Sequence, residues 1–306
     1  MKFHQLRAIV AICESGSIQE ASRQLHISQP ALSKAIKELE AELGVPLLVR
    51  SNRGITVTEY GERLMKRARM VLEEVRRARE EIDTLKGVMD GKLAIGVSSV
   101  TPSHQFVTSL NRYRKRFPKV QVQIIELRPS KLLEGLREGQ LDLVLTSLPE
   151  ARSSDGFHWV ALYEQATVLA VRKDHPMRHV RSLSELKGQD WLLQESLEQS
   201  KVGQMLNEHG IVLPENIIEC ASVVLYAELA ASSDAISYWS IRVLEMAQSL
   251  LNLERLQIAE SLPSMNISLG CRDQELMTRE AKAMADELVY AYTNPHATSS
   301  HGLFSG

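Results

Sequence analysis

A chain of 306 residues is too long for one ordinary core and implies two or three domains. Its hydrophobic fraction of 44% excludes a disordered chain, and with only 5% aromatics its cores must rest on Leu, Ile, Val and Ala. The formal net charge of −2 excludes a globally basic nucleic-acid binder, but residues 1–72 hold 11 Lys/Arg against 7 Asp/Glu, a local +4 that leaves −6 for the remainder. A basic front and an acidic back fit a DNA-binding region joined to something else. Cys13, Cys220 and Cys271 are far apart, with neither metal spacing nor a disulfide framework, and read as small buried hydrophobes of a reducing cytoplasm. Residues 6–13 are apolar, but Glu14 follows and no cleavage site does, so no signal peptide is expected. No apolar run is long enough to span a bilayer. The chain is therefore expected to be cytoplasmic, without a membrane partner.

In chain order, Phe3, Leu6, Ile9, Val10 and Cys13 recur at helical spacing and predict a first helix over 3–15, stopped at Gly16. Ser17 with Glu20 three residues on predicts a capping box that starts a short second helix, with Ile18, Ala21 and Leu25 inward. Ser28 caps a third helix with Pro30 in its first turn; Ala31, Leu32, Ala35, Ile36, Leu39 and Leu43 give it an apolar face, and Gly44 ends it. Two helices around a tight turn at His26-Ile27-Ser28 make a helix-turn-helix. The N-terminal residues of the second helix of such a unit face base edges in the major groove, which here selects Gln29, Pro30, Ser33, Lys34 and Lys37, beside the cap Ser28. Gln pairs with adenine, Lys reaches guanine, and Ser serves either. Residues 45–58 then read as a β-hairpin wing, Val45–Val49 and Ile55–Thr58 around a turn bearing Arg50 and Arg53. Arginines at a wing tip suit the minor groove or the phosphates, and Thr58 closes the wing.

Here a family pattern emerges. Gly16-Ser17, Ala21-Ser22, Leu25, Ser28-Gln29-Pro30-Ala31-Leu32-Ser33, Ile36, Leu39-Glu40, Leu43-Gly44, Leu47, Arg50, Thr58 and Gly61 together resemble the winged helix-turn-helix signature of the LysR-type transcriptional regulators. That family often has an aromatic where this chain has Leu48 and an Ala at Ser22, both conservative packing positions. The resemblance implies that Gln29, Pro30, Ser33 and Lys34 face the major groove and that Arg53 enters the minor groove.

Thr58 can cap a helix to about residue 86, in which Leu64, Ala68, Val71, Val75, Ala78, Ile82 and Leu85 form a heptad seam among charged residues. Such a narrow stripe predicts a partner helix, a two-fold dimer and an inverted-repeat site in double-stranded DNA. Gly87 and Gly91 frame a hinge.

From residue 92 strands alternate with helices: strands at 93–97, 120–124 and 141–145, helices at 103–117 and from a Ser130 cap, a crossing over 164–172, and a second series to a final helix at 276–292. The fold class expected is α plus α/β: a winged helix-turn-helix (1–58), a linker helix and hinge (59–90), and a two-lobed effector domain like periplasmic binding proteins (91–294). Its lobe I would be 91–162 with 266–294 and its lobe II 163–265. Residues 295–306 read as a disordered tail. The LysR effector domain is similar, with Gly139-Gln140-Leu141-Asp142 resembling a common stretch, and the family implies a homotetramer and contact with RNA polymerase.

Ligands of open α/β sheets bind at the carboxyl ends of strands, where helix N-termini favour anions. That selects Ser98, Ser99, Thr101, Thr146 and Ser147 from one lobe, and Gln194, Ser196, Ser200, Lys201 and Ser222 from the other, as receptors of a small organic anion. The plain alternative for each Ser is a helix cap. No catalytic motif, cofactor loop or metal site is expected: His175 and His179 are separated by Pro176 in a turn, and Asp142 reads as structural. The competing reading is a solute-binding or enzymatic α/β protein with an incidental N-terminal bundle.

Overall fold

The structure is a computed structural model and describes residues 1–51, 54–87, 91–99, 101, 103–147, 156–197, 200–211, 216–275 and 277–294. The expected tail, 295–306, lies outside the described residues.

Helix α1 (Phe3–Ser15) ends at Gly16, whose φ of 65° is the left-handed conformation that closes a helix without a Cβ penalty. Its inward face is Leu6, Ala8, Ile9, Ala11 and Ile12, whereas Phe3 is exposed and Val10 and Cys13 are half-buried. The buried stripe is thus rotated from the expected one, because α2, α3 and the long helix all press on the Ile9–Ile12 side. Burial pushes the Cys13 thiol up to about 11, so it stays protonated and unreactive. Helix α2 (Ile18–Gln24) has its cap, Ser17 Oγ accepting from Glu20 N, but not the return bond of a full capping box. Helix α3 (Gln29–Leu43) starts at Ser28, whose Oγ accepts from Ala31 N. Between them His26 has φ 54°, the tight turn of the pair.

The wing is β1 (Leu48–Ser51) paired antiparallel with β2 (Gly54–Val57), Leu48 opposite Val57. It begins at Leu48 rather than Val45, since Leu47 turns into the core and Glu40 of α3 accepts from the N–H groups of Leu47 (2.8 Å) and Leu48 (3.1 Å). Those two bonds fix the wing against α3.

Helix α4 (Glu59–Leu85) is capped by Thr58, whose Oγ1 accepts from Gly61 N at 3.1 Å and donates to Pro46 O at 2.7 Å. Only a glycine fits at 61, because a Cβ there would press into the Leu47 carbonyl. Leu64, Ala68 and Leu72 pack on the head. Further along the seam, Val71, Ala78, Ile82 and Leu85 are exposed.

Two five-stranded sheets follow. Lobe I has the order β4-β3-β5-β12-β6. Its strands are β3 (Lys92–Val97), β4 (Gln121–Glu126), β5 (Leu143–Ser147), β6 (His158–Gln165) and β12 (Met265–Cys271). The first three are parallel, and β12 runs antiparallel to β5 and β6. Helices α5 (His104–Arg116), α6 (Pro129–Arg137) and α10 (Arg279–Thr293) cover it. Helix α6 starts one residue before Ser130, with Arg128 at the cap position, so the expected Ser130 cap is not formed.

Lobe II has the order β11-β7-β10-β8-β9. Its strands are β7 (Thr167–Arg172), β8 (Trp191–Leu193), β9 (Ile217–Glu219), β10 (Ile236–Ser240) and β11 (Leu253–Arg255). Helices α7 (Lys201–Glu208), α8 (Val223–Ser232) and α9 (Ile241–Gln248) join them. The forward crossing is the single step from Gln165 to Thr167, not the segment 164–172, which instead contributes β7 to the second sheet. The return runs beside it: Thr167 Oγ1 donates to Pro263 O at 2.7 Å.

Helix α4 is tied to lobe I by ion pairs. Arg77 Nη2 lies 2.7 Å from Asp142 Oδ1, both side chains almost fully buried, while Asp142 Oδ2 accepts from Ala94 N at 2.8 Å. Arg69 joins Glu14 of α1 (3.1 Å) to Glu138 of lobe I (2.7 Å), and Arg272 reaches Glu74 at 2.5 Å.

Candidate DNA-binding head and inter-lobe cleft

The head presents the first turns of α3 to solvent. Gln29 and Pro30 are exposed, Lys34 and Lys37 are exposed one and two turns on, and Ser33 is half-buried beneath them. Among the described residues the one ion pair of Lys34 is with Glu38, at 3.9 Å. The apolar face, Leu32, Ala35, Ile36 and Leu39, is buried against α1 and α2, so the polar residues have no core to serve. Ser28 and Thr58 are used as helix caps, which positions α3 and α4 rather than leaving two free hydroxyls. Arg50 stands on β1 opposite Ile55; its side chain and the whole of Arg53 lie outside the described residues.

In the effector domain the polar residues are largely engaged with one another. Ser99 Oγ donates to Gln194 Oε1 at 2.7 Å, a direct bond from lobe I to lobe II across the cleft. Ser98 is 3% exposed and its hydroxyl has no hydrogen-bond partner among the described residues, while Thr101 Oγ1 donates to Ser98 O at 2.5 Å. Thr146 is fully buried with its hydroxyl over Ser147 O, and Ser147 sits opposite Ile267 at the end of β5. Ser200 and Ser222 cap α7 and α8. Ser196 is half-buried and its carbonyl accepts from Ser200 N. Lys201, expected to receive an anion, donates instead to Ser264 O at 2.6 Å on the return crossing. The structure therefore brings Ser99 and Gln194 together across the cleft and uses Ser200, Ser222 and Lys201 for the fold.

Two residues that the sequence reading missed stand out. Glu195, next to Gln194, is half-buried, and burial pushes its carboxyl up to about 7 against the pull of Arg128. Arg128 precedes α6 in lobe I, so a charged pair faces across the lobes. The signal was available, since both flank strand ends, but isolated charges at such positions are usually solvated. His175, by contrast, is structural: its Nε2 pairs with Asp234 O at 2.9 Å and its Nδ1 accepts from Met177 N at 2.9 Å. Among the described residues no cluster of His, Cys, Asp and Glu could hold a metal ion.

A winged helix-turn-helix with a polar, exposed reading helix, carried by a long helix on a two-lobed α/β domain, defines a class: a DNA-binding regulator with an effector domain. Two family models match the chain, "Bacterial regulatory helix-turn-helix protein, lysR family" over residues 3–62 and "LysR substrate binding domain" over residues 86–292. The chain belongs to the LysR family of transcription regulators. The HTH-type transcriptional regulator TdcA of Escherichia coli (strain K12) is 29% identical over 235 residues, covering 76% of this chain and 75% of TdcA. Among solved structures, the LysR family regulator CbnR superposes with a TM-score of 0.67 at 20% identity, over 95% of this chain and 99% of CbnR. Full-length CbnR complexed with its target DNA gives 0.50 at 22% identity, over 94% and 100% of the two chains. These likenesses carry the fold.

Proposed function

We propose that the chain works as a homo-oligomer that binds an inverted-repeat promoter site through paired heads and alters that binding when a small organic acid occupies the inter-lobe cleft. The observation that carries the reading is the exposed row Gln29, Lys34 and Lys37 on α3, beside a wing pinned to the same helix by Glu40. In this reading Gln29, Pro30, Ser33 and Lys34 read base edges, Lys37, Arg50 and Arg53 hold phosphates or the minor groove, and Ser28 and Thr58 set the helices. Ser98, Ser99, Thr101, Thr146, Ser147, Gln194 and Ser196 line the cleft.

Dimerisation through α4 is supported by its exposed seam, with Leu85 83% exposed. A second exposed apolar set, Val107, Ile124 and Leu127 on lobe I with Ile218, Val224 and Leu225 on lobe II, supports a further contact and hence a tetramer. The domain division at 58, 90 and 294 follows the same elements. No described helix is long and apolar enough to cross a membrane, in keeping with a cytoplasmic protein at the nucleoid when DNA-bound. Contact with RNA polymerase belongs to the same reading.

The test is binding of the purified chain to fragments of its own upstream region in a salt series, beside the Gln29→Ala/Arg53→Ala variant. Sequence-specific binding lost in the variant is expected. Weak binding, equal on every fragment and unchanged in the variant, would contradict the assignment.

A further inference from the structure

We propose that the effector is a small zwitterion, an amino acid or a close relative, with its ammonium group held by Glu195 and its acid group by Arg128 and the hydroxyls that end β3. The inference rests on the cleft reading above and narrows the chemistry of that site.

Gln194 accepts the Ser99 hydroxyl across the lobes at 2.7 Å, and the charge that acts on the next residue, Glu195, is Arg128 of lobe I, which follows Leu127, whose N–H donates to Val97 O just before Ser98. Its carboxylate makes no hydrogen bond and no contact ion pair among the described residues. Two buried carboxylates of lobe I, by contrast, are paired. Asp142 has Arg77 and the Ala94 N–H, and Glu138 has Arg69. A half-buried carboxylate without a protein partner is open to an ammonium group that would supply one.

The surroundings say which partner. The charge that acts on Glu195 is Arg128, just before α6, and Glu195 in turn acts on the Tyr238 phenol of β10. Arg128 is exposed and makes no contact ion pair among the described residues. Lys201, the cation nearest in sequence, is held by Ser264 O. A carboxylate on one lobe and a guanidinium on the other, each lacking a contact partner, match a ligand carrying both charges in the reverse order. The Ser98 hydroxyl, buried and without a partner among the described residues, can donate to the ligand's acid group. A purely anionic ligand would instead meet Glu195 as a like charge.

Proton linkage separates the two cases. Burial holds the Glu195 carboxyl near 7, so close to half of it is protonated at neutral pH, with Arg128 and Tyr238 as its titratable neighbours. An ammonium ligand selects the ionised form and releases a proton on binding; an anion selects the protonated form and takes one up.

The experiment uses the full chain. Thermal unfolding is followed with the proteinogenic amino acids, β-alanine and γ-aminobutyrate, each beside the same-skeleton acid lacking the nitrogen, for the parent, Glu195→Gln, Ser99→Ala and Gln194→Ala. At least one amino acid should raise the midpoint, with its amine-free counterpart at least about tenfold weaker in half-saturating concentration, roughly the weight of one charge-assisted contact. Glu195→Gln should abolish that preference, and calorimetry in buffers of different ionisation enthalpy should show proton release at pH 7. The ligand-free midpoint of Glu195→Gln at pH 8, at or above the parent's, verifies that the variant folds. No shift with any amino acid, or equal binding of the amine-free acids, or an unaltered preference in Glu195→Gln, overturns the proposal. If amine-free acids bind and need Ser99 and Gln194, the zwitterion falls while the cleft reading stands. If a ligand binds equally to the Ser99→Ala and Gln194→Ala variants, the cleft reading falls as well.

Discussion

The head and the cleft treat polar side chains in opposite ways. On α3, Gln29, Lys34 and Lys37 project from a helix that buries Leu32, Ala35, Ile36 and Leu39 on its other side, and among the described residues Lys34 pairs only with Glu38, at 3.9 Å. In the cleft, Ser99 is bonded to Gln194, Ser200 and Ser222 cap helices, and Lys201 holds a carbonyl. Duplex DNA is large and preformed, so its reader needs only to be presented. A small ligand must replace bonds the cleft already makes, so affinity there depends on the few groups left incomplete: Ser98, Arg128 and Glu195. A polar row on a free helix face thus reports on docking directly, whereas polar residues at strand ends serve the fold first.

The contrast assumes that the two regions are joined through α4, and the largest expected effect comes from breaking that joint. Asp142→Ala leaves the buried Arg77 guanidinium with only the longer Glu73 contact at 3.5 Å and should lower stability by about 3 kcal/mol in denaturant unfolding, against near zero for loss of the exposed Lys131–Glu134 pair. On the head side, Gln29→Ala should reduce the preference for the specific site over random sequence by about 1–3 kcal/mol, leaving non-specific affinity nearly constant in competition binding. On the cleft side, the raised carboxyl of Glu195 sets the sign of a pH effect. Its favourable contribution is fully present below its ordinary value of 4.5 and is lost as pH rises through about 7. Glu195→Gln should therefore gain roughly 1–3 kcal/mol over the parent at pH 8 and nothing at pH 4, measured by denaturant midpoints. The smallest effect is that of Lys37→Ala: a salt slope of binding shallower by about 1, with sequence preference kept, if Lys37 holds a phosphate. A changed preference would move Lys37 to the base-reading set.

The head was legible because its signals are local. Gly16, Ser28 and Gly44 punctuate three helices within 45 residues, and each does in the structure what its residue type dictates. What escaped was tertiary. The buried stripe of α1 is rotated toward Ile12 by three neighbours that a single-helix pattern cannot include. Strands β6 and β11 were not foreseen: β6 mixes exposed and buried residues along one edge, and β11 is three residues long. In the cleft, sequence located the strand ends but could not tell which side chains the fold would use. Whether Ser200 is a cap or a receptor is decided by the Gly203 N–H that its hydroxyl accepts, and Lys201 is turned away by a carbonyl 63 residues on. Glu195 became visible only when the second lobe showed what its carboxylate lacks.

The most direct test of the link between the regions is the footprint of the full-length protein on its upstream DNA, measured with and without a ligand that raises the unfolding midpoint and needs Ser99 to do so. If the cleft acts on the heads, saturation should change the footprint's length or the affinity by at least about fivefold, the lower end of ordinary coupling energies. A ligand that saturates the cleft and leaves both footprint and affinity unchanged would contradict the account.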